Sequence, residues 1–327
     1  MKYIKTNWNI PYYNFALEEY LMTEAKKDSY IFFYIHKPSI IVGKHQNTIE
    51  EINKEFVEEN GIIVARRLSG GGAVYHDEGN LNFSFIQKAQ KQDVNNFEKF
   101  TRPIINALKE LGVEAELSGR NDILVDGKKI SGNAQYYKKG IILSHGTLLF
   151  NSDMTNLSKA LKVKDLKIKS KGIKSVRSRV VNIKDYIENE MSIFELKEFI
   201  LNYISENVDI EEYVLNEREL KRITEIAEEK FSTWDWIWGN SPEYEIQKID
   251  KFPCGLIDIR LNIKNSKIKD CKIYGDFFTK RNIEELETFL HDKTYEKESI
   301  KRDMKNIDLS DYFHDLDLEE FIEFLTL

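Results

Sequence analysis

Apolar positions recur at helical spacing from Phe15 through Leu17 and Leu21, which predicts an opening helix, and two short β-rich runs follow at 30–35 and 40–42. The stretch near 50–60 reads as a helix ending at Gly61. A strand at 62–65 then leads into a glycine-rich loop, and Leu81-Asn82-Phe83-Ser84-Phe85 alternates with the period of a strand. A helix near 96–111 precedes Ile123-Leu124-Val125-Asp126-Gly127-Lys128-Lys129-Ile130, where Asp-Gly between β-prone runs predicts a tight hairpin. Lys129 thus falls at the start of the returning strand. A strand at 141–150 and a helix at 152–161 follow, and further helices are expected near 192–206 and 215–230.

Two composition shifts divide the rest. Between Lys162 and Arg179 the chain carries eight basic residues and one acid, Asp165, with Gly172 and several serines, which reads as a basic, mobile loop. The aromatic stretch 233–242, with Trp234, Trp236 and Trp238 expected to pack, breaks the helical pattern. We place the domain boundary just after it, giving domains 1–243 and 244–327. The second holds strands near 244–249, 256–263 and 267–274 and then helices, a small α+β module.

The 327 residues allow about two domains with a sizeable core. The net charge of −7 disfavours nucleic acid or an anionic membrane as partner while leaving room for local basic patches. Cys254 and Cys271 are the two cysteines, too few for a disulfide framework or a four-cysteine zinc site. No leader-like apolar segment opens the sequence, so the expectation is a cytoplasmic protein.

The most informative segment is Arg66-Arg67-Leu68-Ser69-Gly70-Gly71-Gly72-Ala73-Val74-Tyr75-His76-Asp77. Three adjacent glycines lose much backbone entropy on ordering and are found where the chain turns tightly or a ligand approaches the backbone. Their N–H groups can form an anion nest, and the two arginines are suited to phosphate or carboxylate. No Gly-Lys-Ser/Thr follows, and a strand rather than a helix comes next, so neither a Walker loop nor a dinucleotide fingerprint is present. A second polar cluster joins Gly119-Arg120-Asn121-Asp122 to Lys129-Ile130-Ser131-Gly132-Asn133, and a third is Ser144-His145-Gly146-Thr147.

Taken together, Arg-Arg-x-Ser-Gly-Gly-Gly-Ala-Val-x-His-Asp, Gly-Arg-Asn-Asp, Lys-x-Ser-Gly, His-Gly-Thr-Leu-Leu and Lys-Gly-Ile-Lys-Ser-Val-Arg-Ser-Arg-Val (171–180) resemble, in order and spacing, the lipoate–protein ligase A family. The resemblance runs from about residue 12 to beyond 310. It implies an α+β fold. A biotin/lipoate-protein ligase-like catalytic domain of mixed and antiparallel sheets flanked by helices would carry a small α+β C-terminal accessory domain. It also implies a two-step reaction: (R)-lipoate attacks the α-phosphorus of ATP to give lipoyl-AMP and pyrophosphate. A lysine of a lipoyl carrier domain then displaces AMP, the carriers being 2-oxoacid dehydrogenase E2 subunits and the glycine-cleavage H protein.

Carried over residue by residue, Lys129 would be the catalytic lysine, bridging the carboxyl oxygen and the α-phosphate. Arg67, Ser69, Gly70, Gly71, Gly72 and Ala73 would line the adenylate, and Val74, His76 and His145 the apolar dithiolane tunnel, with Gly146 and Thr147 beside them. Asn121 and Asp122 would lie near the metal, the nucleotide or the incoming carrier lysine, with Asp122 the candidate for Mg2+. Lys171, Gly172, Ser175, Val176 and Arg177 would belong to a loop that closes over the intermediate and shelters it from water. Ser144 departs from relatives that carry a second histidine there. An acyltransferase of the same superfamily would need a cysteine thioester, and residues 1–243 contain no cysteine. A non-catalytic carrier-binding module would have no need of Lys129.

Overall fold

The computed structural model describes residues 1–25, 27–119, 121–161, 180–238, 246–264 and 266–326. The stretch 162–179 and the expected junction at 243 lie outside them. The N-terminal strands are β1 (Lys2–Tyr3), β2 (Tyr30–Ile35), β3 (Ser39–Val42), β4 (Ile63–Arg66), β5 (Val74–His76), β6 (Asn80–Lys88), β7 (Glu116–Ser118), β8 (Asp122–Val125), β9 (Lys128–Lys138), β10 (Ile141–Leu149) and β11 (Glu211–Glu212). Eight of them make one mixed sheet in the order β11-β1-β2-β6-β10-β9-β8-β7, and β4-β3-β5 make a second.

Helices cover both sides of the large sheet. Helix α1 (Pro11–Thr23) starts on a proline, whose missing N–H is no loss in a first turn. Its Phe15, Leu17 and Leu21 are fully buried with Phe32, Ile86 and Leu143 of the sheet. The region read as one helix at 50–60 is two, α2 (Thr48–Glu51) and α3 (Lys54–Glu59). The break comes where the extended Ile52 bridges Leu161 and the Asn53 side chain accepts the Phe56 N–H, capping α3. On the opposite face, α4 (Phe97–Glu110) and the helix Ile193–Asn207 pack Phe100, Ile104, Leu196, Ile200 and Ile204 against Ile31, Phe33, Leu81, Phe83 and Phe85. A capping box between Ser192 and Glu195 opens the second of these.

The expected hairpin joins β8 and β9, and Asp126 and Gly127 both take positive φ (49° and 71°), as the favoured two-residue turn requires. The glycine loop does not run straight into the strand at 80. The short β5 intervenes and pairs antiparallel with β3, while β4 pairs parallel with it. Both ends of the loop are therefore anchored in one small sheet.

Residues 246–326 add β12 (Ile246–Phe252), β13 (Gly255–Lys264) and β14 (Lys267–Gly275), an antiparallel meander covered by helices, with its own core of Ile257, Ile259, Phe277, Leu286, Phe313 and Phe321. This second unit is docked against the first. Gly275 N–H donates to the His45 carbonyl at 2.7 Å, the Phe277 and His45 rings stack at 5.0 Å, and Arg260 pairs with Glu50. Among the described residues no helix is long and apolar enough to cross a membrane.

Candidate active site

Strand register brings the polar clusters together. Across the large sheet Tyr34 pairs with Asn82 and Asn82 with Thr147, while Phe32, Ser84, His145 and Ala134 form the next row. Because side chains alternate, these residues share one face, and Leu81, Phe83 and Phe85 share the other. The glycine loop lies over the polar face, and between them is a cavity of about 130 Å³. Of the residues expected at the site, Arg67, Gly71, Gly72, Ala73, Val74, His76, Asn121, Lys129, His145, Gly146 and Thr147 line it.

Ser69 sits behind the lining, Gly70 packs against the second unit, and Asp122 reaches the site through Lys129, whose ammonium it holds at 2.8 Å. Lys171, Gly172, Ser175, Val176 and Arg177 fall outside the described residues. Gly132 and Asn133 of the Lys129 cluster line the cavity too, and so do Phe15, Tyr34, Ile41, Asn82 and Ala134, which were not anticipated.

The inner end is a hydrogen-bonded chain. Arg67 Nε donates to Ser69 Oγ (3.0 Å), Ser69 Oγ lies 2.6 Å from His145 Nε2, and His145 Nδ1 lies 2.9 Å from Glu18 Oε1, which also accepts from Ser84 (2.6 Å). With the proton on Nδ1 donated to the carboxylate, Nε2 accepts the Ser69 hydroxyl. Glu18, 0 % exposed in the middle of α1, is a polar residue on an apolar helix face, and nothing in its spacing marks it. Burial holds the Arg67 guanidinium down to about 10, and burial with the nearby Glu18 raises the Tyr34 phenol well above its ordinary value.

The arginines bond mainly within the protein, Arg66 away from the cavity and Arg67 while lining it, so Arg67 alone of the pair fits the ligand-facing reading. Arg66 donates to the carbonyls of Gly43, Lys44, Gln46, Trp236 and Ile237 and to the Thr48 hydroxyl. Arg67 donates to the carbonyls of Ile41, Gly70 and Gly72 as well as to Ser69. The pair shapes the glycine loop from within. The nest is also partly occupied, since the Gly71 N–H donates to the Phe277 carbonyl at 3.3 Å, and Gly71 takes a positive φ of 90°. A Cβ at Gly70 would stand 2.1 Å from that same carbonyl. Trp236 does pack, its indole N–H donating to the Arg66 carbonyl, whereas Trp234 is 57 % exposed, against expectation.

Among the described residues, Lys129 is the lysine that lines the cavity, with its side chain 32 % exposed. Its ammonium lies 2.9 Å from where a Gly132 Cβ would be, so the absence of a side chain at 132 lets it lie along the strand. Lys128, one residue earlier, is exposed. A bulge between Ile123 and Leu124 sets this register, and the Lys129 carbonyl accepts from Val181 N–H at 3.0 Å. A cavity with a mixed apolar and polar lining and the partly exposed Lys129 ammonium on it can hold a chain-like acid with its carboxylate at Lys129. No group of three His, Cys, Asp or Glu among the described residues could hold a metal by itself.

Residues 10–205 match the lipoyl protein ligase A/B catalytic domain, and residues 241–325 match the bacterial lipoate protein ligase C-terminus. The chain is 50 % identical to lipoate-protein ligase LplJ of Bacillus subtilis, over 98 % of each chain, and 46 % identical to lipoate–protein ligase 1 of Staphylococcus aureus, over the full length of both. Among solved structures it resembles LipL1 of P. falciparum in complex with lipoate (TM-score 0.79, 27 % identity, 99 % of this chain and 97 % of that one). The bipartite ligase of Thermoplasma acidophilum, studied with its E2 lipoyl domain, gives TM-score 0.67 at 32 % identity over 75 % and 98 %. A lipoate-protein ligase A bound with ATP gives 0.64 at 31 % over 73 % and 98 %. This chain belongs to the lipoate–protein ligase family.

Proposed function

We propose that this ligase is ATP-dependent and AMP-forming, and that Lys129 carries the chemistry. The observation behind this is the partly exposed Lys129 ammonium on the cavity, fixed by Asp122 at 2.8 Å. A carboxylate is a weak nucleophile and is repelled by a triphosphate, so adenylation needs a cation that contacts both. In the first step a carboxylate oxygen of lipoate forms a bond to the α-phosphorus of ATP as the bond to pyrophosphate breaks. In the second, the neutral amine of a carrier lysine attacks the acyl carbon, and AMP leaves with the anhydride oxygen. Lys129 would neutralise charge on the shared oxygens in both steps.

Arg67, Ser69, Gly70, Gly71, Gly72, Ala73, Asn121 and Thr147 would line the adenylate and Val74, His145 and Gly146 the acyl chain, while His76, placed by the resemblance at the dithiolane tunnel, would instead meet the oxygens of the acid. Lys171, Gly172, Ser175, Val176 and Arg177 join the site by sequence resemblance. Magnesium would arrive with the nucleotide, taking most ligands from phosphate and water and needing one or two carboxylates from the protein. Asp122, beside Lys129, is the candidate. Acceptors would be lipoyl domains of 2-oxoacid dehydrogenase E2 subunits and the H protein, in the cytoplasm. A thioester route finds no support, because Cys254 and Cys271 are buried in the second unit and burial pushes the Cys271 thiol up.

The test incubates the chain with lipoate, Mg-ATP and an apo lipoyl domain and reads intact mass. A lipoylated carrier and pyrophosphate release, both dependent on ATP, are expected. A thiol-exchangeable acyl-enzyme or ATP-independent transfer would reject the proposal.

A further inference from the structure

Two histidines beside the cavity are arranged so that one fixes the proton of the other. His76 and His36 are both buried, at 4 % and 0 % exposure, and their Nδ1 atoms lie 3.0 Å apart. Two ring nitrogens at that distance can be bonded only if one carries hydrogen and the other does not. The choice is settled two residues away. Asn14 Nδ2 lies 3.2 Å from His36 Nε2 and 2.9 Å from the Trp8 carbonyl oxygen, while Thr6 donates to Asn14 Oδ1 at 3.4 Å. A carbonyl oxygen accepts and never donates, so the Asn14 amide cannot be reversed, and its NH2 donates to both Trp8 and His36.

His36 Nε2 must therefore accept. A neutral His36 then carries its proton on Nδ1 and donates it to His76 Nδ1, which accepts. This leaves the proton of His76 on Nε2. The His76 ring lines the cavity, and its Nε2 has no hydrogen-bond partner among the described residues.

We infer that Asn14 and His36 are positioning residues that hold His76 as the Nε2–H tautomer, a donor reserved for an oxygen acceptor of the bound carboxylic acid or its adenylate. Burial keeps both rings neutral, lowering His36 to about 3 and His76 well below its ordinary value, so the relay persists across the physiological range. An unpartnered buried donor weakens the empty state, and the ligand that satisfies it regains that cost on binding. The assignment of the ligand rests on the proposed reaction, whereas the tautomer does not.

The first measurement is long-range 15N–1H correlation on the 15N-histidine-labelled full chain without ligand. His36 is expected protonated at Nδ1 and His76 at Nε2, and a His76 proton on Nδ1 would overturn the relay. The second compares His36→Phe, which removes the donor to His76 Nδ1, with His36→Gln, whose amide can still donate. With octanoate as probe, titrated calorimetrically in the absence of ATP, His36→Phe should bind roughly tenfold more weakly, with Gln restoring most of the affinity. In turnover the loss should fall on KM for the acid, with kcat little changed. Equal affinity in folded Phe and wild-type chains would overturn the role of the donor. If the wild-type chain bound no acid at all while the tautomers were as described, the proposed reaction would fail and the relay would stand.

Discussion

On one face of the large sheet, Leu81, Phe83 and Phe85 meet Ile104, Leu196 and Ile200 in a core of aliphatic and aromatic side chains. One residue along the same strand, Asn82 and Ser84 face the other way, Asn82 into the cavity and Ser84 onto Glu18, and both are as buried as the phenylalanines, at 1 % and 0 %. The dry face is held by volume and contact, which are non-directional. The cavity face is held by bonds with direction: Ser84 to Glu18, Glu18 to His145, His145 to Ser69, Asn82 to the Tyr34 carbonyl. The contrast teaches that stability and site geometry are carried on opposite sides of the same strands, so each can be attacked separately.

The largest effect should come from the dry face. Phe83→Ala removes a fully buried ring and is expected to lower unfolding stability by about 3–5 kcal/mol in urea titrations, with affinity for the acid within about twofold in the molecules still folded. A large loss of affinity with little loss of stability would erase the division of labour.

On the cavity face, Lys129→Ala should leave the urea midpoint nearly unchanged and reduce pyrophosphate release by roughly 10² or more, because a preorganised charge at the transition state is worth several kcal/mol. The exposed Lys128→Ala is its control and should change the rate little. Equal losses from both would place the reacting carboxylate elsewhere.

The buried histidines give the cavity face a pH signature the dry face lacks. His36 has a folded value near 3 against 6.5 when unfolded, so below pH 6.5 the unfolded chain takes up a proton that the folded chain refuses. Stability is therefore full above pH 6.5 and falls as pH drops toward 3, by about 2 kcal/mol at pH 5 from this residue. His76 and His45, lowered by burial, act in the same direction. Urea midpoints at pH 7.5, 6 and 5 check this, and His36→Phe should flatten the slope.

The smallest effect is expected in the second unit. Joint Cys254→Ala and Cys271→Ala should keep most lipoylation activity, with any loss following a lower melting temperature, read by calorimetry beside turnover. Loss of turnover at unchanged melting temperature would reopen the thioester route.

How far these features could be read from the sequence follows the range of the interactions behind them. The Asp126-Gly127 hairpin, the helix at 97–110 and the glycine loop rest on local chemistry, and all were legible. The alternation of Asn82 and Ser84 was legible as a strand. Its polar side looks the same on paper whether it meets water or a cavity, because only the cover supplied by α1 and the glycine loop decides. The break at Ile52-Asn53 depends on a bridge to Leu161, and the seat of Phe277 on Gly71 joins residues about two hundred positions apart. Long-range pairings of that kind leave no period in the chain. The recognised motifs found the cavity through Arg67, Lys129 and His145, whereas Glu18, Asn14 and His36 lie outside every motif and emerged from the hydrogen bonds alone.

Arg66 also determines where the chain can be cut. Its guanidinium gathers the 43–48 turn and the carbonyls of Trp236 and Ile237 around one buried charge. A fragment meant to represent the large unit alone has to extend past Ile237. Ending it at 232, where the last long helix stops, would strip two acceptors from a cation that is 8 % exposed and open the strand leading into the glycine loop. The short turn Trp234–Ile237 thus belongs to the catalytic half of the chain, and any scheme that splits the two halves between separate polypeptides must leave that turn with the N-terminal piece.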